Sequence, residues 1–131
     1  MLRFYVDASM LAVGKALVAV RADVTYPGRA DSPVASADVD DSDWLPLVGA
    51  ANLAVLMRDK KIRSRPAERQ ALAAANVRAF VLARSGNSSR WEQLALVVRW
   101  WDAMEEVLAT EEPPFVFSIT GAGLRKLILA V

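Results

Sequence analysis

The chain has 131 residues, 54% apolar and 24% charged, which suits one folded, soluble domain with a sizeable core rather than a disordered segment. Sixteen Lys and Arg face 15 Asp and Glu, a net charge of +1. The absence of cysteine and histidine excludes disulfides, thiolate chemistry, the usual zinc sites, Ser-His-Asp triads and histidine general bases, so any enzyme here works with carboxylates, lysines, hydroxyls or a hard metal ion.

In chain order, residues 2–6 are aromatic and β-branched and predict a first strand that ends on Asp7. Ser9 stands as the N-cap of a helix over 10–20, with Met10, Val13, Leu17 and Val20 on one face. Residues 23–26 predict a short strand, closed by Pro27 and Gly28. Residues 27–41 hold Pro, Gly, Ser and Asp without periodicity, a loop long enough to be functional or mobile. Asp41, Ser42 and Asp43 cap a helix over 44–51, with Pro46 in its first turn and Asn52 as a left-handed stop. Residues 53–57 are uninterruptedly apolar and read as a central strand buried on both faces. A helix over 66–75 opens on proline and ends at Asn76, and residues 77–82 form the next strand. Ser89 and Glu92 spell a capping box for a helix running to about 109. Residues 115–119 predict a last strand, followed by a short apolar tail.

This alternation predicts a three-layer α/β/α sandwich with right-handed crossovers and a mostly parallel sheet, in a single domain over 1–131. No signal peptide is expected, since Met1 leads straight into the first strand. The apolar runs fall far short of a membrane span, so a cytoplasmic protein without membrane contact is expected.

Net charge hides an asymmetry. Residues 1–44 hold seven acids against four cations, while residues 58–69 hold six cations against two acids. Such a pairing suits a metal site beside a phosphate track, and equally suits two solvated surfaces. The sheet gathers strand ends and helix starts on one rim. There the acids are Asp7, the Asp40, Asp41 and Asp43 cluster, and Asp59. Carboxylates that converge need a cation, and without nitrogen or sulfur ligands it is Mg²⁺ or Mn²⁺, serving metal-assisted hydrolysis of a phosphodiester. Singly, Asp41 or Asp43 serves equally as a helix cap, and Asp59 as a surface ion-pair partner. Arg58, Lys60, Lys61, Arg63 and Arg65 beside Asp59 suit RNA phosphates or a solvated surface. Adjacent Trp100 and Trp101 cannot share one core face, so one marks a partner surface or a second buried face. Trp44 reads as core in preference to an RNA-stacking platform.

The stretch Phe4, Tyr5, Val6, Asp7, Ala8, Ser9 resembles the opening of PIN-domain ribonucleases. The run from Asp40 to Trp44, residues 58–69 and residues 77–82 resemble a compact, VapC-related PIN-like subfamily of bacterial toxins. The resemblance implies an Mg²⁺-dependent endoribonuclease silenced by a cognate antitoxin. It makes Asp7 and Asp59 metal ligands, one or more of Asp40, Asp41 and Asp43 the middle acid, and Ser9 the support of a carboxylate or metal-bound water. It also leaves room for a homodimer. Two departures stand out. The helix from Ser89 offers only the acids Glu92, Asp102, Glu105 and Glu106, and Met57 occupies a position where relatives often carry a hydroxyl. Competing readings are a phospho-receiver-like module, against which Ala8 follows Asp7 where a second acid belongs, and a catalytically inactive binding domain.

Overall fold

The computed structural model describes residues 1–58, 65–83 and 88–129. Its strands are β1 (Phe4–Val6), β2 (Val24–Thr25), β3 (Ala54–Arg58), β4 (Arg78–Leu82), β5 (Phe115–Thr120) and β6 (Gly123–Leu127). Its helices are α1 (Leu11–Val20), α2 (Asp41–Ala50), α3 (Pro66–Ala74), α4 (Arg90–Arg99) and α5 (Trp101–Thr110), and a 3-10 turn spans Ala8–Met10. The strands form one sheet in the order β2-β1-β3-β4-β5-β6, parallel except for the β5–β6 pair.

Apolar runs without polar interruption make β1, β3 and β4 strands that are covered on both sides. Alternate residues then sort into two cores. Phe4, Val6, Leu56, Phe80 and Phe117 face α1, α4 and α5. Tyr5, Val55, Met57, Val81 and Val116 face α2 and α3. The result is the expected α/β/α sandwich.

The expectation of uniformly right-handed crossovers needs correction. From β3 to β4 and from β4 to β5 the chain steps the same way across the sheet. Yet α3 lies on one face, whereas α4 and α5 lie on the other, beside α1. The two connections therefore have opposite hands, against the usual rule. On that face Trp101 packs on Phe4, the tilted rings 4.5 Å apart between centroids, and Met104 is fully buried in the same core.

Three local expectations also change. The helix expected over 89–109 breaks at Trp100 (φ −104°, ψ 13°). The break turns adjacent tryptophans to different neighbours: Trp101 into the α1 side of the sheet, and Trp100 over Gly123 of β6. Both nonetheless pack on one core, Trp101 within it and Trp100 half-buried at its edge, which corrects the expectation that they cannot share one. The apolar tail is not a tail, because residues 123–127 pair back on β5 as an antiparallel edge strand. Its leucines are irregularly spaced, so no period of two announced it. Finally, α2 starts at Asp41 rather than 44, which puts Pro46 inside the helix. Proline has no N–H for the Ser42 carbonyl, and Ser42 is exposed, where water serves instead.

Asn52 and Asn76 adopt the left-handed conformation (φ 57° and 56°) that ends α2 and α3. The long loop over 27–40 is anchored at two points. Val34 is fully buried in the α2 side of the core, and the buried Thr25 hydroxyl donates to Asp31 at 2.6 Å. Among the described residues no helix is long and apolar enough to cross a membrane.

Candidate active site at the carboxyl rim of the sheet

Chain connections leave β1 toward β2 on one side and run from β3 toward β4 on the other. The carboxyl ends of β1 and β3 thus flank a topological switch point, the crevice where open α/β sheets bind ligands. Asp7 follows β1 directly. Its N–H donates to the Leu56 carbonyl of β3 at 2.9 Å, which fixes its backbone against the neighbouring strand.

Asp7 is 3% exposed, a costly position for a carboxylate unless donors serve it. Ser9 supplies two: its backbone N–H at 3.2 Å and its hydroxyl at 2.6 Å, both to Oδ2. The Ser9 Oγ in turn accepts the Arg58 N–H at 3.2 Å. Asp7, not Ser9, is therefore the cap of the 3-10 turn, and Ser9 links the end of β1 to the end of β3. A serine so placed was expected to support a carboxylate; its bond to β3 was not foreseeable from spacing alone.

Of the acidic cluster at the start of α2, the three members behave differently. Asp40 and Asp43 are exposed, while Asp41 is half-buried. Its Oδ1 accepts the Trp44 indole N–H at 2.8 Å. Trp44 is itself core, its ring 5.2 Å from that of Tyr5. The Tyr5 phenol is pushed far above its ordinary range, first by burial and then by the negative charges of Asp7 and Asp41. Two carboxylates from separate elements thus bear on one buried hydroxyl, and that hydroxyl stays protonated. Tyr5 and Trp44 as supports of the acids were missed in the sequence, where both read only as core.

Asp59, Lys60, Lys61 and Arg63 lie outside the described residues. Arg58 is half-buried at the end of β3, and Arg65 is exposed at the N-cap of α3. Among the described residues no three acids gather as a metal-binding group. The donor chemistry nonetheless fits a hard divalent ion. Only oxygen ligands are present, and Mg²⁺ is commonly held by one or two carboxylates with waters completing its shell.

Residues 2–84 match the PIN-like domain family. The chain belongs to that family. The match covers the switch point and the positions of Asp7, Asp40, Asp41, Asp43 and Asp59, and a PIN-like domain is a nuclease-type fold. Neither the curated proteins nor the solved structures gave a match. In this PIN-like domain the sheet continues past the matched stretch, since β5 and β6 extend it from β4.

Proposed function

We propose that this PIN-like protein is a Mg²⁺- or Mn²⁺-dependent endoribonuclease, the toxin of a VapC-like toxin–antitoxin pair acting in the cytoplasm. The observation that carries the reading is the buried Asp7 at the switch point, held by the backbone N–H and the hydroxyl of Ser9. Asp7, Asp41 and Asp59 are the residues assigned to hold the ion, with Asp40 and Asp43 at the rim. Bound there, a divalent ion lowers the pKa of a water and neutralises charge on a phosphodiester.

The chain's own residues supply the rest. Ser9 holds the Asp7 carboxylate in one orientation, and the Trp44 indole does the same for Asp41. Tyr5, buried against Trp44 and kept protonated, adds no further negative charge near these carboxylates. Arg58, Lys60, Lys61, Arg63 and Arg65 hold phosphates of the RNA backbone, contacts that position a strand without reading its sequence.

The assigned protein partner is a cognate antitoxin, and a second copy of the chain is the other. Trp91 and Val98 support a partner surface: both are exposed and they lie two turns apart on α4. The deciding experiment is cleavage of single-stranded RNA with and without Mg²⁺. Asp7→Asn and Asp59→Asn are expected to abolish cleavage while melting remains close to that of the parent. Unchanged cleavage in both variants ends the proposal.

A further inference from the structure

Beside the Asp7 cluster lies a cleft of about 420 Å³ between the start of α1 and the start of α4. Ser9 forms part of its wall, so it is continuous with the candidate active site. Met10 and Leu11 line it with apolar surface. Among the described residues its charged lining is Arg58 and Arg90, and neither pairs with a described carboxylate. Glu92, the acid nearest Arg90 in sequence, is turned back to the Ser89 N–H in the capping box.

The decisive residue is Gln93. It lines the cleft, yet it is only 6% exposed. Its Nε2 donates to the Ser88 carbonyl at 3.3 Å, while its Oε1 takes no hydrogen bond from any described residue. Gln93 Oε1 is not among the buried polar atoms left without a partner, so this acceptor keeps access to the cleft. In sequence Gln93 falls on the apolar stripe of Val97 and Trp101, a polar residue where packing alone would ask for an aliphatic one.

Two guanidiniums without a carboxylate partner among the described residues, apolar lining and one free acceptor at the cleft are the parts that recognise a nucleotide: phosphate, base face and base edge. We infer that the cleft seats the ribonucleotide next to the scissile phosphate. Arg58 and Arg90 hold its phosphate, its base lies against Met10 and Leu11, and a base N–H donates to Gln93 Oε1. That the neighbouring phosphate is the one cleaved rests on the nuclease reading above; the nucleotide subsite itself does not. Gln93 thereby makes the protein prefer some bases over others at this position, which phosphate contacts cannot do.

The test titrates the four nucleoside 5′-monophosphates into the full chain without metal, followed by calorimetry and by NMR of the side-chain amides. Binding at one site is expected, with unequal affinities among the four bases and a shift of the Gln93 amide resonance in the unaltered protein. Arg90→Ala, at an exposed position, weakens all four by about tenfold or more. Gln93→Leu, which keeps the bulk of the side chain, levels the differences between bases. No binding, or binding that Arg90→Ala leaves unchanged, overturns the subsite. So does a Gln93 amide that stays unmoved. RNA cleavage measured in parallel separates the two ideas. Cleavage without nucleotide binding removes the subsite alone, and nucleotide binding without cleavage removes the nuclease reading alone.

Discussion

The Ser9 hydroxyl joins the Asp7 carboxylate to the Arg58 backbone, donating to the first at 2.6 Å and accepting from the second at 3.2 Å. One small side chain thus sets both the orientation of a buried acid and the spacing of β1 and β3 at the point where they diverge. Removing it leaves a buried carboxylate with one donor fewer and a strand-end N–H without its partner. Ser9→Ala is expected to cost about 1–3 kcal/mol of stability, read from urea unfolding. It also lowers metal-dependent cleavage about 10–100-fold, the usual penalty for losing the group that orients a ligand. A variant with parental stability and parental cleavage would show that the bridge does nothing.

The α2 acids are separable by substitution. Asp41 bears on Tyr5 and is held by Trp44, whereas Asp40 and Asp43 are exposed. Asp41→Asn is expected to reduce cleavage more than Ser9→Ala does, with Asp40→Asn and Asp43→Asn each closer to the parent. Equal losses in all three would make the cluster a diffuse field rather than one ligand with two neighbours.

Gly49 on α2 faces the end of α3. A Cβ built there runs into the Ala75 carbonyl, a backbone atom that cannot swing aside. Gly49→Ala is expected to cost about 1–3 kcal/mol, despite alanine's better helix propensity, because overpacking outweighs about 1 kcal/mol of propensity. A thermal melt at or above the parent's would mean that the two helix ends part easily.

Acid stability has an identifiable contributor. The Arg21 guanidinium hydrogen-bonds Asp23 at 2.8 Å and 2.9 Å, and this pairing holds the Asp23 carboxyl below its ordinary value. A folded-state pKa below the unfolded one adds stability that is complete above about pH 4. That stability fades as pH falls through the folded value. Asp23→Asn should therefore narrow the difference in urea midpoint between pH 7 and pH 3. A difference as wide as the parent's would place the acid sensitivity elsewhere.

The residues that were legible in the sequence are those whose local chemistry is self-sufficient. The Ser89 and Glu92 capping box forms as spelled, Asn52 and Asn76 stop their helices, and the apolar run of β3 is the sheet's buried centre. What escaped depends on residues far apart in the chain. One of Trp100 and Trp101 was expected on a partner surface or a second buried face, yet the break at Trp100 and the return of β6 let both pack on one core. Pro46 was assigned to a first turn because the acids before it were read as caps, when they are the first turn. At the site, Asp7 stood out by its place after a strand, whereas the place of Ser9 suggested a helix cap and its support of a carboxylate came from the family resemblance. Gln93 required knowing that α4 starts beside Ser9, which no spacing encodes.

That placement follows from the unusual hand of the connection between β4 and β5. Had it matched its predecessor, α4 would have begun beside α3, and Ser9 would border open solvent. Division of labour within the chain is the outcome. The stretch that defines the family contributes the acids, and the remainder contributes the roof of the pocket and the cover for Phe4 and Phe80. A fragment ending at residue 84 would keep the acidic residues and lose the shelter that shapes what reaches them.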